Sequence, residues 1–526
     1  MQSSDVILLG QSMEQLLAGL PERISSPLRR WARERPDALA ARDHLGQTCS
    51  YTQLAQRVAN AGEFYRDQGV GPGDRVLLIN ENSVALLVAI LALSEIDAIS
   101  VVINARLAEP EIRRIQQHCQ PRLSVCLLES AAAAAHWQSL CKEQRAAQKF
   151  LDESRLGLLW TDTPAPVLDE TVLPVQERVC VMIYTTGTTG DPKGVMLTHR
   201  NILYVAAVTS VLRGMTAADR LYCVLPLSHI FGLAAVFLAA LFRGAALILA
   251  DRFDPAALLR AVREEQITGL LGVPTMYARL LEFIRAQGIQ PADMPRVRFM
   301  YAGGAPLDPT IKQDSEALFG ISLLNAYGMT ESGPTICQVR WNERLGSCTV
   351  GRPLPGLEIR LRDAQGRDVG PGDVGELHVR GPGVMRGYYR NADATAAVID
   401  AEGFLNTGDL VRQDADGNVH IVGRSKELII HSGFNVYPPE VEAVIARHPD
   451  VVLCAVIGEH VQGNEHVVAC VQTVAGSALD EAALQAFVKA DLAPYKRPAR
   501  IVFMQLPTAP SGKVLKHRLQ GLVANR

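Results

Sequence analysis

Tyr184-Thr185-Thr186-Gly187-Thr188-Thr189-Gly190-Asp191-Pro192-Lys193-Gly194 decides how this chain is read. An apolar run, 179–183, leads in and a second, 195–197, leads out. Between them stand four Thr, three Gly and one Lys. Glycine lets a backbone approach a ligand closely and take positive φ. Exposed N–H groups and Thr hydroxyls can then cradle phosphate oxygens, with Lys193 as a mobile charge. A polar hairpin turn would explain one or two of these residues, but not four hydroxyls and a lysine in one loop.

The loop fails the test for the commoner phosphate loop, GxxxxGK[ST]. Lys193 follows Pro192 rather than Gly, and Gly194 stands where the Mg²⁺-holding Ser or Thr would be. What surrounds the loop is an alternating chain. Helical spacing over 51–68 puts Leu54, Val58, Ala61 and Tyr65 on one face. A turn cluster at 69–74, a strand at 75–79, a helix capped by Ser83, a strand at 98–104 and a helix at 109–118 follow. Such alternation predicts a layered α/β domain with a largely parallel sheet. Residues 131–168, rich in Ala, Gln and charge, read as a helix plus a surface connection. After the loop and a helix opening at Thr198, strands at 221–225, 246–248, 269–273 and 298–301 alternate with helices such as 255–264 and 275–287. From 349 to 423 short alternating segments predict a small β-rich unit. Beyond Gly423 a charged linker leads to a compact α+β unit with helices at 439–446 and 481–489 and strands at 451–457, 466–474 and 500–503.

With 526 residues the chain has room for about three or four domain-sized units. Hydrophobic residues are 48% and charged residues 20%, an ordinary globular balance. A net charge of −3 gives no basic face, which argues against nucleic acid as a partner. The ten cysteines have no CxxC or zinc-ligand spacing and read as buried thiols of a cytoplasmic protein. The first ten residues carry Asp5 and no basic region, unlike a secretory signal. The apolar run 230–242 stops at Arg243-Gly244, short of the roughly 20 residues a membrane span needs, and reads as a buried helix before a buried strand.

Further stretches occur in a telling order: Pro226-Leu227-Ser228-His229-Ile230-Phe231-Gly232, Gly272-Val273-Pro274, Gly303-Gly304-Ala305-Pro306, Asn325-Ala326-Tyr327-Gly328-Met329-Thr330-Glu331, Asn406-Thr407-Gly408-Asp409, Gly423-Arg424-Ser425-Lys426-Glu427, and Pro510-Ser511-Gly512-Lys513. Together with the opening loop, over residues 25–523, they resemble the acyl-adenylate-forming enzymes: acyl-CoA synthetases, peptide-synthetase adenylation domains and firefly luciferase. The resemblance implies a large N-terminal domain, 1–423, of two layered α/β subdomains (about 1–175 and 176–345) and a small β-barrel-like one (346–423), then a small mobile α+β C-terminal domain, 424–526.

It also implies roles. The loop Thr185, Thr186, Gly187, Thr188, Thr189, Gly190 and Lys193 would clamp the β- and γ-phosphates of ATP. Tyr327 would stack on adenine, which Gly304, Ala305, Pro306, Asn325, Ala326 and Gly328 would border. Thr330 would bond phosphate, and Glu331 would hold Mg²⁺, a hard cation that takes oxygen ligands and substrate phosphates. Asp409 and Arg424 would grip the ribose, His229 would gate the acid's carboxylate, Lys426 would be the hinge and Lys513 the adenylation lysine. Ser432, Gly433, Tyr495, Lys496 and Arg497 would face CoA, although some relatives carry basic side chains where Ile430, Ser432 and Ala499 stand.

The implied function is an AMP-forming acid:CoA ligase: carboxylate and ATP give acyl-AMP and pyrophosphate, then CoA gives the thioester and AMP. Two alternatives stand beside it. One is a free-standing adenylation enzyme loading a carrier protein; residues 228–232 hold no carboxylate for an amino acid's ammonium, and no carrier domain follows Lys513. The other is a non-catalytic nucleotide-binding scaffold, against which Lys513, Glu331 and Asp409 count. The expected acid lining (His229, Phe231, Gly303, Gly304, Ala326, Met329) is small and apolar, with no charge for a second carboxylate or an amine. It favours medium or long fatty acids first and aryl acids close behind. A homodimer is left open.

Overall fold

A computed structural model describes residues 10–186, 192–291, 294, 296–431, 434–461, 464–508 and 514–524. Two large sheets face each other across a shared helical layer. One has eight strands in the order Gly387–Tyr388, Pro192–Thr198, Val179–Thr186, Ile99–Asn104, Arg75–Asn80, Leu123–Leu127, Ser154–Trp160, Arg145–Leu151. Its middle is parallel, as the alternation predicts. The other has nine strands, running from Arg352–Pro353 through Cys337–Gln338, Leu323–Tyr327, Phe299–Gly303, Gly269–Gly272, Arg220–Cys223 and Ala246–Leu249 to Leu39–Asp43 and Thr48–Ser50.

The layer between the sheets contains Val84–Glu95, His199–Leu212 and Phe231–Leu238, and one hydrophobic core runs through it into both sheets. These helices are apolar all round because both flanks are covered. Ser83 caps the first, accepting from the Leu86 N–H at 3.2 Å, as expected from the sequence. Thr198 and Asn201 form a reciprocal cap on the second. His199 beside them is buried and accepts from the Ile24 N–H; burial pushes its pKa down to about 3, so it is a neutral structural histidine.

The region 131–168 differs from the expectation. The helix Ala131–Leu140 is present, but the rest is a hairpin, Arg145–Leu151 and Ser154–Trp160, that extends the eight-stranded sheet. Gly157 makes room for Trp137, whose ring would lie 2.3 Å from a Cβ there. The outer strand is exposed and carries Arg145 and Lys149, charges that suit an edge strand and disguise it in sequence.

Residues 358–424 form an antiparallel four-stranded sheet: Glu358–Arg362, Val374–Arg380, Leu405–Gln413, Val419–Arg424. Among the described residues no pairing joins its first and last strands, so the expected barrel is here an open sheet. The small C-terminal unit packs Pro438–Ile445 and Glu481–Lys489 on a sheet of Val451–Val461, Asn464–Thr473 and Arg500–Phe503. A last helix, Lys516–Ala524, covers its other face. The cysteines are free thiols, and burial pushes several up, Cys119 and Cys126 to about 12.

Candidate active site

The motif residues converge where the ends of the nine-stranded sheet meet the small antiparallel sheet. Tyr327 ends the strand Leu323–Tyr327, and its hydroxyl donates to Asp409 Oδ2. Arg424 Nε lies 2.9 Å from Asp409 Oδ1. Asp409 and Arg424 are cross-strand partners, so pairing alone brings the two together. Asp409 is 3% exposed. Burial, then the adjacent carboxylate, pushes the Tyr327 hydroxyl well above the usual phenol range, which keeps it a donor.

Asn406-Thr407-Gly408-Asp409 would be a turn if met alone. It lies within the strand Leu405–Gln413, where Gly408 takes φ +68° and the pairing on both sides shifts register. Thr407 Oγ1 accepts from the Asp409 N–H at 3.1 Å and donates to the Leu377 carbonyl at 2.8 Å. Glu376 accepts from Asn406 on the neighbouring strand and from Ser425 in the turn that follows Arg424. His378, with Nε2 3.8 Å from Oε2, and then these two hold its carboxyl down at about 2 despite burial.

Glu331 lies in the turn Thr330–Ser332, which also buries Thr330. Gly328 permits this turn, because a Cβ there would stand 1.7 Å from the Pro334 carbonyl oxygen. The hydroxyl of Tyr388 donates to Glu331 Oε1 at 2.8 Å. Tyr388 sits on a two-residue strand paired with the strand that leaves the Thr/Gly loop, and Lys193 Nζ lies 5.0 Å from its ring. Tyr388 escaped the sequence reading. Its signal, an aromatic pair after Gly387, is weak without the fold. Thr185 faces Lys193 across the hairpin, and Tyr184 and His118 share a 2.6 Å hydrogen bond beneath it. Gly187, Thr188, Thr189 and Gly190 lie outside the described residues, as does the side chain of Thr186. Lys513, Ser432 and Gly433 also lie outside them; Thr508 and Val514, which flank the lysine's segment, pair as an antiparallel bridge.

On the acid side, exposed His229 accepts the Phe231 N–H on Nδ1. The Phe231 ring lies over Gly303, where a Cβ would come within 3.2 Å of it. Gly304, at φ +79°, turns the chain into Ala305 and Pro306, with Val273 beside it. Ala326 is next to Gly303 in register. The Asn325 amide braces the Cys348 carbonyl at 3.0 Å, so its side chain is engaged structurally.

Lys426 is exposed, in a short turn after Arg424. Next to it Glu427 pairs with Lys516 at 2.9 Å, and Lys516 reaches Glu442 at 2.7 Å. Tyr495 stacks on exposed Phe434 with centroids 4.7 Å apart. Arg497 donates to the carbonyls of Leu492 and Lys489, which occupies part of the guanidinium expected to face CoA.

Among the described residues no group of three or more His, Cys, Asp or Glu could hold a metal alone. Glu331, with one oxygen held by Tyr388, fits Mg²⁺ instead, because that ion relies on one or two carboxylates and substrate phosphates. No helix among the described residues is long and apolar enough to cross a membrane.

The model of the AMP-binding enzymes matches residues 28–389, and that of their C-terminal domain matches 440–513. A feruloyl-CoA synthase from Amycolatopsis is 35% identical over 498 residues, 94% of this chain and 97% of the relative. An indoleacetate–CoA ligase from Aromatoleum aromaticum is 32% identical over 488 residues, 91% and 94% of the two chains. ATP-bound MatB from Rhodopseudomonas palustris superposes with a TM-score of 0.83 at 30% identity, covering 95% of this chain and 98% of that one. MatB without ATP gives 0.74. The chain belongs to the AMP-binding enzyme family.

Proposed function

We propose that this protein is an AMP-forming acid:CoA ligase that activates a ring-bearing carboxylic acid. The observation that carries the adenylation is the pair of buried carboxylates, Asp409 held by Tyr327 and Arg424, and Glu331 held by Tyr388, beside a Thr/Gly loop. The relatives named for feruloyl and indoleacetate substrates move the first choice of acid from fatty to aryl.

A carboxylate is a poor acyl donor because oxide would have to leave. In the first step a carboxylate oxygen bonds to the α-phosphorus of ATP, the bridging α–β oxygen bond breaks, and pyrophosphate departs. Charge moves towards pyrophosphate. Lys513 and Lys193 stabilise it, and preorganised stabilisation of this kind is often the largest catalytic contribution. A Mg²⁺ ion on Glu331 supplies further neutralisation when bound. Asp409 and Arg424 fix the ribose, and Tyr327 the adenine, so that attack is in line. In the second step the CoA sulfur bonds to the acyl carbon, AMP leaves with the bonding pair, and the thiol proton goes to solvent.

Lys513 must withdraw to admit the thiol. We assign the swing to the segment after Gly423, with Lys426 as its pivot, because exposed hinge residues absorb large backbone changes. Tyr495 and Phe434 form an exposed aromatic surface suited to the incoming cofactor. Buried free thiols suit a reducing compartment, so cytoplasmic location is part of the proposal.

ATP–pyrophosphate exchange over a panel of aryl and fatty acids, followed by AMP release with and without CoA, tests this reading. Exchange with an aryl acid and CoA-dependent AMP release are expected. No exchange with any acid would leave a nucleotide-binding scaffold, and exchange without CoA-dependent release would leave a carrier-protein loader.

A further inference from the structure

The face of the nine-stranded sheet on which the acid would lie does not end in hydrocarbon. Gly303, Ala326 and Gln338 are neighbours across three strands, Gly303 opposite Ala326 and Ala326 opposite Gln338. Residues directly opposite each other point to the same face. The row therefore runs small, small, glutamine, starting under the Phe231 ring. At its far end the Gln338 amide nitrogen reaches the Thr209 carbonyl at 3.4 Å. Thr209 is one helical turn before Arg213, whose N–H bonds that same carbonyl. Arg213 closes the corner: its guanidinium carbon lies 5.1 Å from the ring of Tyr301, two residues before Gly303 on the same strand face.

These three side chains are sealed from solvent, at 0%, 1% and 0% exposure for Thr209, Arg213 and Gln338. Yet Thr209 Oγ1, Gln338 Oε1 and both Nε and Nη2 of Arg213 have no hydrogen-bond partner. Arg213 bonds the Ala235 carbonyl through Nη1. Buried polar groups are normally paired, and a buried charge without a counter-group is costly. The other buried arginines obey this rule. Arg75 donates to five carbonyls, and Arg340 to those of Gln338, Arg352 and Pro353. The edge that Arg213 leaves open is also the one this chain uses to grip oxygen pairs. Arg23 holds Asp97 through Nε and Nη2 at 2.9 and 3.0 Å, and Arg298 holds Asp219 with the same fork. Burial lowers the Arg213 pKa only to about 10, so it remains a cation at neutral pH.

We propose that Arg213, Thr209 and Gln338 are the distal end of the acid pocket and select acids that carry an oxygen function at the end remote from the reacting carboxylate. The inference rests on the ligase reading above and adds the substrate's second functional group. Arg213 donates to that oxygen. Gln338 Oε1 and the Thr209 hydroxyl accept a hydrogen bond from it where it carries a proton. The group is a hydroxyl, a carbonyl or a second carboxylate, and the experiment separates these sources.

The test compares matched acids on the full-length enzyme: 4-hydroxycinnamate against cinnamate, a terminal keto acid against its methylene analogue, and hexanedioate against hexanoate. A site built to hydrogen-bond a substrate group rejects the analogue lacking it by up to about 10⁴-fold. Wild-type kcat/KM is expected to favour the oxygenated member of at least one pair by about 10² to 10⁴. Arg213→Met should shrink that ratio to about tenfold or less while turnover of the plain hydrocarbon member persists. Gln338→Leu, which keeps the volume, should lower the ratio by about tenfold and serves if Arg213→Met does not fold. Equal turnover within every pair would overturn the proposal, as would a preference that survives both substitutions. A wild type that activates no acid would bring down the ligase reading, and this one with it.

Discussion

Tyr388→Phe isolates one hydrogen bond. The tyrosine is 7% exposed and Glu331 8%, and a 2.8 Å bond joins them. Phenylalanine keeps the ring, so the Lys193 contact at 5.0 Å survives and the volume hardly changes. What disappears is a donor to a buried carboxylate, a bond worth about 1.5–3 kcal/mol. If Glu331 holds Mg²⁺ with the phosphates of ATP, Tyr388 is the partner that orients it. Loss of such a partner typically costs about 10–100-fold in metal affinity or activity. The two magnitudes agree, since tenfold is about 1.4 kcal/mol. ATP–pyrophosphate exchange titrated with Mg²⁺ reads this directly. The Mg²⁺ concentration for half-maximal exchange should rise about 10–100-fold. Thioester formation from pre-made acyl-AMP should be nearly unchanged, because no pyrophosphate is involved. A variant with the wild-type Mg²⁺ dependence and a lower exchange rate would refute Tyr388 as the support of a metal carboxylate. A variant slowed equally in both half-reactions would refute it too.

Lys513→Ala should severely slow adenylate formation while leaving thioester formation from acyl-AMP largely intact; equal loss of both would sink its assigned role. Asp409→Asn removes the charge that Arg424 and Tyr327 share, and should raise the KM for ATP about 10–100-fold with little change in the KM for the acid. A parallel rise in both would show that the two ligands share Asp409. Glu376, depressed from near 4.5 to about 2, stabilises the fold fully above pH 4.5, and that contribution is lost as pH falls towards 2. Glu376→Gln should therefore cost roughly 2–4 kcal/mol at pH 7, a cost that shrinks as pH falls from 4.5 through 2, measured by denaturant unfolding across pH. A cost independent of pH would contradict the assignment.

The alternation of strand and helix was legible because each buried strand is a near-continuous apolar run bounded by turn residues. Arg75–Asn80 and Ile99–Asn104 show this plainly. The hairpin at 145–160 was not, since its outer strand lies at an exposed edge with Arg145 and Lys149, which hid the partner of the apolar inner strand Ser154–Trp160. The motif residues of the site were legible through their types and order. Their partners were not, because Tyr388 lies 57 positions from Glu331 and meets it only through a two-residue strand pairing. Arg213 was invisible for a different reason. An arginine after an apolar helix reads as a solvated C-terminal charge, and only the crossing of Phe231–Leu238 over it makes it a core residue. If Arg213 ends the acid pocket as proposed, the sequence reading of a wholly uncharged acid lining gives way at that one side chain.

On the strand Leu323–Tyr327 neighbouring residues would, on the proposed function, serve different ligands: Ala326 lies in the row that starts at Gly303, while Tyr327 reaches Asp409. One peptide bond thus separates two kinds of selective pressure. Exchanges at Gly303, Ala326, Gln338 or Arg213 could redirect the enzyme to a new acid without disturbing the grip on the nucleotide. Lineages built on this scaffold can accordingly diversify in what they activate while the energy-coupling half stays still. That predicts a signature in any family tree: rapid drift along one face of the strand and near-silence along the other.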